Sequence, residues 1–142
     1  MRDDHIAFSD TSFLVALSNV RDRYHAAAIR LHHSLSNAGV PRITTEYVLV
    51  EVGNRFSRLQ QRRLGAALVE RALTERRLEV IPASMELLRA GLELYRNRLD
   101  KEWGLTDCIS FEVMRRRGIT LALTVDRHFV QACFDAPLLA ET

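Results

Sequence analysis

Apolar positions in this chain fall into short uninterrupted runs separated by longer segments with helical spacing. Ile6-Ala7-Phe8 is the first run, closed by the polar Ser9-Asp10-Thr11-Ser12. Phe13, Leu14, Val15 and Leu17 then predict a short helix. Tyr24, Ala27, Ala28, Leu31 and Leu35 recur at helical spacing and predict a helix over 22–36, which Gly39-Val40-Pro41 ends. Arg42-Ile43-Thr44 predicts a strand, after which Thr44 or Thr45 caps a helix through Tyr47, Val48, Val52 and Phe56. Further helices are predicted over 64–75, 85–99 and 106–117. The last of these ends on Arg115, Arg116 and Arg117, at the negative end of the helix dipole, with Gly118 as its cap. Strands over 78–81 and 119–125, a short helix over 127–133 and an edge strand at Pro137-Leu138-Leu139 complete the series.

Short apolar strands alternating with helices predict an α/β fold around a mainly parallel sheet. No repeat, low-complexity tract or flexible linker divides the 142 residues, a length that suits one domain over 1–142. With 47% hydrophobic and 27% charged residues, the chain is neither disordered nor a disulfide scaffold. Cys108 and Cys133 follow no metal or redox spacing and are expected as buried thiols in a reducing compartment. The charged start at 1–5, the stop at Asp10 and the lack of any long apolar run predict a cytoplasmic protein with no membrane span.

In a parallel α/β sheet, ligands sit outside the carboxyl ends of the strands, so an acid placed where a strand ends is a candidate. Asp10 closes the first strand and Asp126 closes Leu121-Ala122-Leu123-Thr124-Val125. Glu51 interrupts Tyr47-Val48-Leu49-Val50, and Asp107 stands within Leu105-Thr106-Asp107-Cys108-Ile109. Helix capping accounts for Asp10, Asp107 or Asp126 taken one at a time, but it does not account for Glu51. Convergence of the four on one site explains all of them. Two carboxylates about 4 Å apart repel by about 4 kcal/mol at a surface-like dielectric. Protonation or a hard divalent cation such as Mg²⁺ or Mn²⁺ relieves that repulsion.

Other acid-based sites fit poorly. A dehalogenase-type phosphatase needs a second aspartate where Ser12 stands, and a receiver domain needs a lysine after its last strand, whereas the one lysine is Lys101. The six glycines form no phosphate-binding loop.

Phe8-Ser9-Asp10-Thr11-Ser12-Phe13-Leu14 resembles the N-terminal motif of the PIN-domain ribonucleases. Thr44-Thr45-Glu46-Tyr47-Val48-Leu49-Val50-Glu51 resembles their helix bearing a glutamate. Leu105-Thr106-Asp107-Cys108 and Leu123-Thr124-Val125-Asp126-Arg127-His128-Phe129 are similar to their third and fourth acidic motifs. In size and pattern the chain is most similar to VapC-type toxins. The resemblance implies a three-layer α/β/α fold and RNA cleavage dependent on Mg²⁺ or Mn²⁺. It further implies a homodimer and a small antitoxin whose tail covers the acidic cleft. By motif, Asp10, Glu51, Asp107 and Asp126 are the catalytic acids, Asp10, Asp107 and Asp126 the metal ligands, and Thr11 and Thr124 the polar groups behind them. A PIN nuclease without an antitoxin, or a silent RNA-binding PIN domain, are the alternatives.

Arg55, Arg58 and Arg62 are expected along one helix face near Glu51, where they either hold an RNA backbone or form a solvated face; Arg127 is a further candidate. His25 is expected to cap or pack rather than bind metal, and His128 to be structural rather than a phosphate contact. Trp103 is expected in the core or at the rim of the site, where it could stack on a base.

Overall fold

The computed structural model describes residues 6–140, so the charged start at 1–5 lies outside it. Four short segments pair as parallel strands: β1 (Ala7–Ser9), β2 (Arg42–Thr45), β3 (Leu78–Ile81) and β4 (Leu121–Leu123). Their order is β3-β2-β1-β4, with Phe8 opposite Ile43 on one side and Ala122 on the other. The chain thus builds outward from β1 through β2 to β3, then crosses back to lay β4 on the free side of β1. That reversal opens the sheet's switch point between the ends of β1 and β4.

Alternation along the strands splits the core into two layers. Phe8 and Ala122 join one apolar cluster with Val48, Val52, Ile109, Phe111 and Phe129. Ala7 and Leu123 join another with Phe13, Ala16, Ala28 and Leu138. The first cluster is covered by α3 (Glu46–Arg55), α5 (Met85–Asn97), α6 (Leu105–Arg117) and α7 (Arg127–Gln131). The second is covered by α1 (Thr11–Ser18), α2 (His25–Asn37) and α8 (Pro137–Ala140). This is the expected α/β/α sandwich. Between α3 and β3, α4 (Arg62–Thr74) packs against α3.

Local chemistry explains the element boundaries. Thr45 rather than Thr44 caps α3, its Oγ1 accepting from Val48 N–H at 3.2 Å, while Thr44 Oγ1 donates to the Ser9 carbonyl at 2.8 Å. Gly118 ends α6 in the left-handed conformation at φ 65°, which a residue without Cβ adopts at no steric cost. Phe111 meets Trp103 and Phe129 edge-to-face at 5.1 and 4.9 Å, fixing α6 and α7 against the sheet. Among the described residues, no helix is long and apolar enough to cross a membrane.

Three expectations are corrected. Pro137-Leu138-Leu139 is helical, as α8, and only Asp135 makes a bridge to Leu121. Proline is preorganised for a first helical position and lacks the N–H that a strand ladder uses. Arg55, Arg58 and Arg62 do not share a helix: Arg55 ends α3, Arg62 begins α4 and Arg58 lies between. Cys133 is exposed at φ 72°, in the turn where Phe134 N–H bonds the Phe129 carbonyl, so only Cys108 is a buried thiol.

Two glycines test this packing with opposite signs. A Cβ on Gly91 of α5 would overlap Ile109 Cγ1 and lie 3.1 Å from the Ile109 nitrogen, whereas nothing lies within 4 Å of one on Gly53 of α3. Gly91→Ala is expected to destabilise the fold by about 1–3 kcal/mol through overpacking. Gly53→Ala is expected to stabilise it by about 0.5–1 kcal/mol through backbone entropy. Urea unfolding midpoints of the two variants check both signs.

Candidate active site

Three of the four predicted acids stand at helix starts on the carboxyl edge of the sheet. Asp10 links β1 to α1, Asp126 precedes α7, and Asp107 is in the first turn of α6. Their roles at those helices differ. Asp126 does cap, its Oδ1 accepting from His128 N–H at 2.9 Å. Asp107 Oδ2 reaches the Gly104 N–H at 3.4 Å. Asp10 makes no side-chain cap at all. Capping, a sufficient account of Asp126, therefore leaves Asp10 unexplained.

Asp10 is instead committed to the β1–β4 seam. It is 3% exposed, and its Oδ2 accepts from Thr124 Oγ1 at 2.8 Å and Ser12 Oγ at 3.0 Å. Those hydroxyls lie 3.1 Å apart, and each also accepts a backbone N–H: Ser12 from Val125 and Thr124 from Asp126, both at 3.0 Å. Burial is the main cause that pushes the Asp10 carboxyl up to about 7, with the nearby charge of Asp107 adding to it. The hydrogen bonds from Thr124, the Thr11 backbone and Ser12 pull the other way. Asp107 is also held above the usual carboxylate range, by desolvation and by Asp126, against hydrogen bonds from His128 and Gly104.

His128 stands between the other two acids. Its Nδ1 lies 3.0 Å from Asp107 Oδ2 and 3.3 Å from Asp126 Oδ1. Partial desolvation lowers its pKa, but the bond to Asp107 and the charges of Asp126, Asp107 and Glu102 prevail and raise it. Asp107, Asp126 and His128 each offer a donor atom, and these lie within 4.8 Å of one another. The carboxylate oxygens of Asp107 and Asp126, with the adjoining Asp10, are hard oxygen donors that fit a divalent cation of the Mg²⁺ or Mn²⁺ class. Cys108 is not an alternative nucleophile, because burial, with Asp107 adding, pushes its thiol up to about 11.

The remaining candidates are placed less centrally. Glu51 is half-buried on α3, flanked by the buried Val48 and Val52, and no hydrogen bond or ion pair among the described residues ties it to the aspartates. It stands six residues past Thr45, about 9 Å of helical rise from the edge where α3 begins. Thr11 reaches Asp10 through its backbone, and its buried hydroxyl has no partner. Arg55, Arg58, Arg62 and Arg127 are exposed. Away from the site, His25 Nδ1 lies 2.7 Å from the Ala16 carbonyl and packs, as expected. His32 Nδ1 pairs with the buried Arg42 at 2.6 Å. Ser12 and His128 are the contributors that sequence reasoning missed or underweighted. The available signal was their spacing, each two residues after a strand-end aspartate.

A family model described as PIN domain matches residues 7–135. The protein named 23S rRNA-specific endonuclease VapC20, from Mycobacterium tuberculosis strains CDC 1551 / Oshkosh and H37Rv, is 34% identical over 128 residues. That alignment covers 89% of this chain and 94% of the relative. The crystal structure of Mycobacterium tuberculosis VapC20, described as a Sarcin-Ricin loop cleaving toxin, superposes with a TM-score of 0.80 at 29% identity. It covers 91% of this chain and 96% of its own.

The raised Asp10 value carries a stability signature. Its carboxyl binds a proton more tightly in the folded chain (about 7) than at its ordinary value of 3.8. The metal-free fold therefore loses stability as pH rises from about 4 to about 7, and the penalty stands in full above that range. Asp10→Asn is expected to stabilise the metal-free fold at about pH 8 by an amount on the order of a few kcal/mol, seen as a higher melting temperature. The advantage should vanish near pH 4. Melting curves at both pH values check it, and an equal shift at both would assign the effect to something other than the charge.

Proposed function

The chain belongs to the PIN-domain family, and on that premise we propose that it is a divalent-metal-dependent endoribonuclease, the toxin half of a toxin–antitoxin pair. The observation that carries the reading is the gathering of Asp10, Asp107 and Asp126 at the switch point between β1 and β4, with His128 Nδ1 between two of them. Cleavage of 23S rRNA, the named activity of VapC20, makes a loop of large-subunit ribosomal RNA the first substrate to test. Catalysis in the cytoplasm follows from such a substrate.

Asp10, Asp107 and Asp126 would hold the cation, while His128 Nδ1 stays hydrogen-bonded between Asp107 and Asp126. When bound, the cation supplies positive charge at the scissile phosphate and lowers the pKa of water. Thr124 and Ser12 fix one oxygen of Asp10, so its carboxylate is positioned before substrate arrives. Gly104 N–H steadies Asp107 in the same way. The clustered negative charge also repels a bare phosphate, so RNA engages productively only once that charge is neutralised. Arg127, exposed directly after Asp126, and Arg55, Arg58 and Arg62 at the α3–α4 junction are placed to pair with RNA phosphates. Homodimerisation and an antitoxin belong to the same proposal. Val50 and Leu73, 63% and 59% exposed, share an apolar groove between α3 and α4 with Leu49 and Val69, which supports a protein contact there.

Incubation with total ribosomal RNA and millimolar Mg²⁺ or Mn²⁺ tests the activity. Discrete cleavage products are expected, abolished by chelator and lowered by at least about a hundredfold in Asp107→Asn. Glu51→Gln separates two roles for the half-buried glutamate. A loss of similar size places its carboxylate at the metal or substrate, and cleavage within about twofold of wild type removes it from the site. Growth arrest on expression of wild type but not of Asp107→Asn supports the toxin assignment, and harmless wild-type expression overturns it.

A further inference from the structure

Beside Asp107 runs an open groove of about 510 Å³, lined by Tyr95, Arg98, Leu99, Lys101, Trp103 and Gly104. It begins where the site ends, since Gly104 both lines it and donates its N–H to Asp107 Oδ2 at 3.4 Å. Whatever lies in it is therefore next to whatever sits on the acids.

Arg98 is held there in a fixed plane. Its Nε and Nη2 donate to the two carboxylate oxygens of Asp100 at 3.0 and 3.1 Å, and its Cζ lies 4.8 Å from the Trp103 ring centroid. Trp103 is 5% exposed and anchored in turn by its Nε1–H to Gln131 Oε1 at 2.9 Å. One edge of the guanidinium is thus clamped and one face covered. The side chain is still 39% exposed and lines the groove, leaving guanidinium surface that neither Asp100 nor Trp103 covers. Tyr95, 49% exposed, stands three residues earlier on α5, one helical turn away.

Charge decides what fits. Arg98 and Lys101 are offset by Asp100 and Glu102, two against two, so the segment is neutral and poorly suited to a run of phosphates. A flat, uncharged, polarizable ring suits it well, because guanidinium planes and aromatic rings are the surfaces on which unstacked RNA bases settle. We propose that this groove is a nucleobase subsite, taking the base adjacent to the scissile phosphate onto the open face of Arg98 with Tyr95 at its mouth. It rests on the ribonuclease reading and makes Arg98 and Tyr95 determinants of which RNA is cut.

Trp103 is the chain's one tryptophan and lies beneath Arg98 in this groove, so its emission reports on the surroundings of Arg98. Fluorescein-labelled single-stranded RNA of mixed sequence is titrated into the Asp10→Asn chain, following anisotropy and tryptophan emission together. The emission change is expected to saturate with the anisotropy. Arg98→Ala and Tyr95→Ala should each weaken binding about tenfold. Tyr95→Phe should restore it, which a merely structural defect would not allow. Arg96→Ala, on the same helix with its side chain 64% exposed and paired with Glu93, is the control and should match wild type. In the otherwise wild-type chain, the 5′ ends of fragments from total ribosomal RNA should show a relaxed base preference beside the cut in Arg98→Ala and Tyr95→Ala. RNA binding without a change in tryptophan emission, or unaltered affinity and cut-site preference in both variants, overturns the subsite while leaving the nuclease intact. A wild-type chain that neither binds nor cleaves RNA with Mg²⁺ or Mn²⁺ overturns both.

Discussion

Burial of the Asp10 carboxyl in the seam between β1 and β4 is the constraint on which the rest of the site depends. A carboxyl 3% exposed is expensive to ionise, and here its proton affinity rises far above the usual range. Thr124 and Ser12 offset part of that penalty and in doing so tie the end of one strand to the end of the other. The strand-order reversal creates the gap that Asp10 fills. A fold selected for stability alone would place an apolar side chain there, as it does with Phe8 one turn of the pleat away. An acid in that position is a local departure from good packing of the kind that accompanies function.

Electrostatics at the edge follow from three helix starts meeting at one place. A helix N-terminus favours a carboxylate, which eases the placing of Asp107 and Asp126 at α6 and α7 but does not offset the burial of Asp10 at α1. Bringing the three starts together adds a mutual repulsion to the cost of burial, which is the larger cause of the raised values of Asp10 and Asp107. His128 partly answers it for Asp107 and Asp126. Asp10, farther into the seam, is answered by hydroxyls rather than by a charge.

Sequence patterning carried the architecture because two signals with different periods agreed. The apolar runs of β1 and β4 ended in aspartates, and helices between the strands kept regular spacing. Asp10 and Asp126 were legible because a carboxylate that closes an apolar run demands an explanation, and Asp107 because it stands within one. Side-chain relations across the sheet were not legible. Ser12 and Thr124 are 112 residues apart in sequence, and only the β1–β4 register brings their hydroxyls within reach. His128 looked structural because its role depends on Asp107, 21 positions earlier. The misread edge strand at Pro137 came from weighing apolar content above the missing N–H of proline. The arginines at 55, 58 and 62 fit a helical period, but the α3–α4 turn falls among them, which period alone does not reveal. Glu51 was singled out by its apolar neighbours, and Val48 and Val52 are indeed buried, yet the side chain sits at the flank of that face rather than in its centre.

The long separation between β1 and its partner β4 has a consequence for how such a chain is made. When a ribosome has synthesised the first hundred residues, Asp10 exists but Thr124, Asp126 and His128 do not, and the strand that completes the switch point has yet to appear. Pairing across that separation is also a slow, non-local step in folding. Until those residues follow, the buried carboxyl of Asp10 lacks both the strand that covers it and the hydroxyl of Thr124 that holds it. Topology here supplies a delay, setting a waiting time between the birth of the chain and the onset of its chemistry.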